Sequence, residues 1–291
     1  MNIEYLFKPE IEQKFPRLER LFEQSKEDFW NESTVVDWSQ PIDMAPEKRR
    51  ALARVLSIIY YGERAALEVS AQLISMVDDE ECKFALAAQV IEEAKHVSVF
   101  RRVLTKLDQI HPVDPWSKRL LADLVLVKDT VAKLIGMQLI VENVANHLFI
   151  EIGRACEEAP LLSEVLKYVA RDEKKHTGIA AIYLPKVLER TSTLRLEFIK
   201  LRQVYWSFCL DRTIYNHRYD ADALGIDLFD AMIKGIKAQE RLVESMGTRR
   251  GIWKNRFLES LSLRMYRKHN EENERRAAQQ GQKGKAWTRA A

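Results

Sequence analysis

Two Glu-x-x-His pairs carry the chemistry of this chain: Glu93-Ala94-Lys95-His96 and Glu173-Lys174-Lys175-His176. Each follows a lone acid, Glu63 or Glu142, at a gap of thirty or thirty-one residues. On a helix, residues three apart lie one turn from each other on the same side, so each Glu and His can reach one point. Four carboxylates and two imidazoles, delivered by four helices, are the ligand set of a carboxylate-bridged dinuclear metal site. Hard oxygen donors with one imidazole per ion suit iron or manganese better than zinc or copper.

The elements that position these residues are legible from periodicity. Leu56, Ile59, Ala66 and Leu73 share a helix face with Glu63, and Leu86, Gln89, Phe100 and Val103 share one with Glu93. Ile135, Gln138, Ala145 and Phe149 flank Glu142, and Leu166, Val169 and Ala180 flank Glu173. Each acid thus interrupts a largely apolar stripe. An unpaired buried carboxylate costs several kcal/mol, so four such interruptions call for a shared cation. An acid also precedes each motif Glu: Glu92 before Glu93 and Asp172 before Glu173. Metal-bound histidines usually donate their second N–H to a carboxylate. Asp172 is therefore expected to hold His96 and Glu92 to hold His176, across a pseudo-twofold axis. His147 is read as a flank or core histidine rather than a third imidazole.

Helices are expected near 47–76, 79–107, 116–156, 161–189, 193–217 and 225–246, the third with a break near Lys128–Thr130. Asp78-Asp79 is expected to cap the second. Residues 1–45 read as an N-terminal arm with a short helix around Pro9–Gln24, and residues 46–250 as the helical bundle with flanking helices. Residues 251–291 read as a basic tail, weakly ordered from about 264. Ten glycines and eight prolines in 291 residues favour long helices over many-stranded sheets. The fold class is all-α.

Basic and acidic residues nearly balance at a net charge of +3, which does not suggest a nucleic-acid binder. Cys82, Cys156 and Cys209 are odd in number and far apart, fitting a reducing cytoplasm better than a disulfide framework. The N-terminus does not resemble a secretory signal, and no apolar run approaches the ~20 residues that span a bilayer. A soluble cytoplasmic protein is expected, with a homodimer as one compatible assembly.

On these residues the chain resembles the ferritin-like di-metal carboxylate oxidases and oxygenases, over roughly residues 25–190. Asp172-Glu173-Lys174-Lys175-His176 is similar to the second motif of soluble acyl-carrier-protein desaturases. Phe29-Trp30 with Val36-Asp37 and Ser39 resembles the start of the ribonucleotide reductase small subunit. The resemblance implies a ferritin-like four-helix bundle with additional C-terminal helices. It implies that Glu93 and Glu173 bridge two metals, Fe/Fe or Mn/Fe, with Glu63 and Glu142 terminal and dioxygen as co-substrate. It also implies that Trp30 hydrogen-bonds Asp172. Two roles stay open for Trp30, electron relay and packing anchor of the arm.

The departures are specific. Phe100 stands where the reductase carries its radical tyrosine, which excludes a stable tyrosyl radical there. A manganese–iron reductase subclass shares that phenylalanine. The acidic, tyrosine-bearing docking tail of the reductases is absent, and Ala145-Asn146 replaces the threonine of the bacterial monooxygenases. The leading expectation is an oxygenase or oxidase acting on a small organic substrate by N-oxygenation, hydroxylation or desaturation, with an electron-donor protein as a possible partner. A radical-generating subunit and a non-enzymatic iron-binding bundle are the alternatives. Gln89, Phe100, Ile135, Gln138, Ala145 and Phe149 are expected to line the substrate pocket; for Gln89 and Gln138, simple packing remains equally open.

Overall fold

The structure, a computed structural model, describes residues 7, 14–107, 109–254 and 256–287. Its elements are α1 (Pro16–Glu27), α2 (Glu32–Val35), α3 (Pro46–Met76), α4 (Glu80–Lys106), α5 (Pro115–Leu126) and α6 (Thr130–Lys133). A π-helical stretch over Leu134–Val141 runs directly into α7 (Glu142–Ala155). Then come α8 (Pro160–Arg190), α9 (Thr193–Asn216), α10 (Arg218–Leu224), α11 (Leu228–Ser245) and α12 (Arg256–Trp287). The protein is all-helical among the described residues.

Prolines open α3, α5 and α8 at positions whose N–H has no intrahelical partner, as helix chemistry favours. Asp114 caps α5 through its carboxylate, which accepts from the Trp116 and Ser117 amides. Asp79 occupies the N-cap position of α4 but makes no side-chain cap. Its carboxylate instead accepts the Tyr183 hydroxyl at 3.0 Å.

The bundle pairs α3 with α4 and α7 with α8, and α4 packs against α8. The arm covers this last seam, since α1 packs on both α4 and α8. Its helix begins at Pro16 rather than near Pro9; residues 8–13 lie outside the described residues. Two apolar clusters fill the bundle. One gathers Val69, Leu86, Leu139 and Ile179. The other gathers Leu56, Val99, Phe149 and Val169. The carboxylates and imidazoles form a polar waist between them. Burial on both sides keeps water from that waist, so its charges must be balanced locally.

The expected break near Lys128–Thr130 separates α5 from α6. Lys133 then turns back, and its ammonium donates to the Leu124 and Val125 carbonyls at 2.8 and 2.9 Å. A cation at a helix C-terminus offsets the dipole there. Gly136 permits the close approach of α5 and α9 to the π-helical stretch. A Cβ at that position would lie 2.3 Å from Leu124 Cδ2 and 2.8 Å from the Trp206 ring. Gly136→Ala is therefore expected to destabilise the chain by about 1–3 kcal/mol, measured by chemical denaturation. Equal stability of the variant would show that this seam is slack.

Two departures from the expected elements concern the C-terminal third. A short helix, α10, intervenes before α11. Residues 256–287, expected to be weakly ordered from about 264, are helical, and Tyr266 is fully buried among the residues of the second apolar cluster. Apolar residues spaced along an otherwise charged stretch, Leu263 and Tyr266 among them, are the signal that the composition of the tail masks.

Candidate metal centre

Glu63 comes from the middle of α3, Glu93 and His96 from α4, Glu142 from the start of α7, and Glu173 and His176 from α8. All six are buried, at 0–4% exposure. His96 Nδ1 lies 3.1 Å from Glu63 Oε2 and 3.2 Å from Glu173 Oε1. His176 Nδ1 lies 3.1 Å from Glu93 Oε1 and 3.1 Å from Glu173 Oε2. Two four-residue groups result, each with its donor atoms within 4.8 Å of one another: Glu63, Glu93, His96 and Glu173, and then Glu93, Glu142, Glu173 and His176. Glu93 and Glu173 belong to both.

The donor set fits a pair of cations. Glu93 Oε2, Glu142 Oε1 and Glu173 Oε1 are buried with no hydrogen-bond partner. Buried polar atoms are normally paired, so three orphaned carboxylate oxygens in one cluster require another electrophile. In the metal-free chain, protons take that part only at the terminal acids, Glu63 and Glu142. Burial pushes the Glu63 carboxyl up to about 8 and Glu142 well above the usual carboxylate range. At Glu93 and Glu173 burial acts the same way, but the His176 charge and the imidazole hydrogen bonds overcome it and hold both low. Burial opposes charge on the imidazoles, yet the surrounding carboxylates raise both His96 and His176 well above their ordinary range.

The outer partners fall where the pseudo-twofold reading puts them. His96 Nε2 faces Asp172 Oδ2 at 3.4 Å, and His176 Nε2 faces Glu92 Oε2 at 2.9 Å. Trp30 donates its indole N–H to Asp172 Oδ2 at 2.7 Å and stacks on Tyr168 at 4.8 Å between ring centroids. Lys95 and Lys175 are functional candidates that the sequence reading missed. Lys175 is 4% exposed and bonds both Glu92 and Asp172 Oδ1, the latter at 3.0 Å. Lys95 sits 3.3 Å from Asp172 Oδ2 and 4.7 Å from the Trp30 ring centre. The available signal was the repeat itself, because each motif histidine is preceded by a lysine.

The residues expected around a substrate pocket are packed instead. Gln89 donates to Glu93 Oε1 at 3.0 Å, and Gln138 donates to Gln89 Oε1 at 2.7 Å, so this pair orients a cluster carboxylate. Phe100 and Phe149 stack on each other with centroids 5.6 Å apart. Ile135 is fully buried and Ala145 packs at the edge of the second apolar cluster. A cavity of about 550 Å³ lies elsewhere, lined by Val55 and Ile58 of α3, by Asn143 and His147 of α7, and by residues of α9 to α12. Periodicity located the inward face of each helix, but the space left between helices depends on how α9 to α12 pack. His147 bonds the Asn143 carbonyl through Nδ1 and stays outside the cluster. His269 is buried far from the cluster in sequence and bonded to Asp222 at 2.9 Å.

A family profile described as P-aminobenzoate N-oxygenase AurF matches residues 71–251, more than half of the chain. The chain belongs to that family. It is accordingly a ferritin-like dinuclear metal oxidase or oxygenase. Among solved structures, the R2-like ligand-binding oxidase from Sulfolobus acidocaldarius is similar at a TM-score of 0.58 and 19% identity, covering 81% of this chain and 91% of that one. A valine-to-leucine variant of an R2-like ligand-binding oxidase with anaerobically reconstituted Mn/Fe cofactor is similar at a TM-score of 0.61 and 18% identity, covering 81% and 94%. At these identities the likeness speaks for the fold. Curated protein sequences give no match. No helix among the described residues is long and apolar enough to cross a membrane.

Proposed function

We propose that this member of the family oxygenates a small organic substrate, with N-oxygenation the leading reaction, at an Fe/Fe or Mn/Fe pair held by Glu63, Glu93, His96, Glu142, Glu173 and His176. The observation that carries the assignment is the sharing of Glu93 and Glu173 by two four-donor groups. Bound there, the metals would supply the Lewis acidity and the electrons for dioxygen reduction. The chain's own residues do the rest. Glu93 and Glu173, which belong to both four-donor groups, would hold both ions. Asp172 and Glu92 fix the imidazole rings through Nε2, leaving Nδ1 for the metal. Gln89 steadies Glu93. The two apolar clusters exclude bulk water from the waist.

In this account Trp30 anchors the arm and orients Asp172. The Lys95 ammonium over its ring opposes removal of an electron from the indole, which disfavours the relay role. Phe100, buried against Phe149, offers no phenol for a stored radical. Dioxygen uptake by Fe(II)-loaded protein tests the proposal. Uptake that rises with an added aryl amine, at about two metals per chain, is the expected result. Iron uptake far beyond two per chain with no substrate dependence would instead support the storage reading.

A further inference from the structure

We infer that the cavity between α3 and α7 binds an uncharged, mostly apolar small molecule through one amine or hydroxyl end, with Asn143 and His147 as its anchors. The inference rests on the oxygenase reading and names the class of ligand that reading leaves open.

The cavity lies on the α3 and α7 side of the bundle, whereas the arm closes the α4 and α8 side. Its volume, about 550 Å³, is within the range of small-molecule sites. Apolar side chains dominate the lining, among them Val55, Ile58, Leu139 and Val144. Among the polar residues of the lining, Asn143 stands out. It is 6% exposed, and its amide makes no side-chain hydrogen bond among the described residues. An amide on a cavity wall with no protein partner is free to bind a ligand there. One turn on, the His147 Nδ1 lies 2.9 Å from the Asn143 carbonyl. A carbonyl only accepts, so Nδ1 carries the proton, and in the neutral ring Nε2 is left as an acceptor. Amide and imidazole together suit a group that both donates and accepts.

Charge decides against an anionic ligand. The lining cations are all engaged: Arg212 with Asp211 at 2.7 Å, Arg249 with Glu244 at 3.5 Å, and Lys254 with Glu240. A carboxylate would enter this apolar space without a counterion, at a desolvation cost that nothing there offsets. The same helix that turns Asn143 to the cavity turns Glu142 to the carboxylate cluster, so an amine end held by Asn143 sits beside the element that carries a cluster acid.

Gly235 of α11 offers a clean block. It lines the cavity, and a Cβ placed on it meets nothing within 4 Å, so a side chain can start there without a backbone clash and Gly235→Phe is expected to occupy the space. Calorimetric titration of the full chain, metal-free and metal-loaded, with methyl 4-aminobenzoate, 4-aminobenzoate and methyl benzoate tests the idea. The amino ester is expected to bind, with the free acid and the amine-free ester each at least tenfold weaker. Asn143→Ala is expected to weaken the amino ester about tenfold and Gly235→Phe to abolish its binding, with thermal melts confirming folded variants. The inference is overturned if the free acid binds as tightly as the amino ester, if both variants bind like the native chain, or if the folded native chain binds no amino ester. Metal content and oxygen uptake, measured on the same preparations, separate the two failures. A loaded, oxygen-consuming protein that ignores the amino ester sinks the cavity assignment alone, and a protein that binds the ester but no metal sinks the oxygenase reading alone.

Discussion

Lys175→Met is expected to lower the stability of the metal-free chain by about 3–5 kcal/mol, since it leaves buried Glu92 without its lysine and Asp172 with only the longer pair to Lys95. Lys175 bridges Glu92 and Asp172, which are 3% and 0% exposed and hold the two motif imidazoles. In a chain this size that loss corresponds to a melting shift of about 10 °C. Metal affinity should fall as well, by roughly 10–100-fold, because the partners that orient His96 and His176 lose their alignment. Lys95→Met should cost less. Its single ion pair with Asp172 is longer, at 3.3 Å, and Asp172 keeps Trp30 and Lys175. Thermal melts of both variants decide the matter, and equal melting of Lys175→Met and native protein would mean that these acids are solvated.

Metal loading is the second large effect, and it should grow with pH. In the metal-free fold the raised Glu63 and Glu142 carboxyls and both raised imidazoles hold protons that the unfolded chain would release. The folded state then binds more protons than the unfolded one, so the stability these groups contribute is full at low pH and declines as pH rises. For Glu63 the decline runs from about 4.5 to about 8. Metal ions need the same atoms deprotonated, so binding releases protons and tightens over that range. Ions at 100 times their dissociation constant add about 2.7 kcal/mol. Differential scanning calorimetry with and without Fe(II) or Mn(II) at pH 5.5, 6.5 and 7.5 should show a widening gap in melting temperature. A gap that narrows toward pH 7.5 would contradict the proton–metal exchange.

The parts of this protein that were legible in its sequence are those governed by periodicity and short-range spacing. Glu63, Glu93, Glu142 and Glu173 interrupt apolar faces at matched intervals, and the structure gathers them with His96 and His176 at one level of the bundle. The pairing of His96 with Asp172 and of His176 with Glu92 followed from the repeat and from the needs of imidazole ligands. What was hidden depended on tertiary packing. Lys95 and Lys175 were not singled out, because a lysine within a charged stretch gives no sign of burial, yet the arm and the opposite motif bury them. The cavity was placed around Phe100, Phe149 and the glutamine pair, because an inward position does not say whether a neighbour fills the space. Gln138 donates to Gln89 and Gln89 to Glu93, so both amides are drawn into the cluster, and the open volume lies where α9 to α12 leave α7 partly uncovered. The Arg- and Lys-rich composition of the last stretch masked α12 and the burial of Tyr266.

Metal content of the native chain and of the Glu93→Ala/His96→Ala variant, measured by elemental analysis after loading with iron and manganese, tests the central claim most directly. The double substitution removes a carboxylate shared by both four-donor groups and an imidazole of one of them. The native chain is expected to hold about two metal ions and the folded variant close to none. Retention of two ions per chain by the variant would contradict the assignment of these residues as the metal centre.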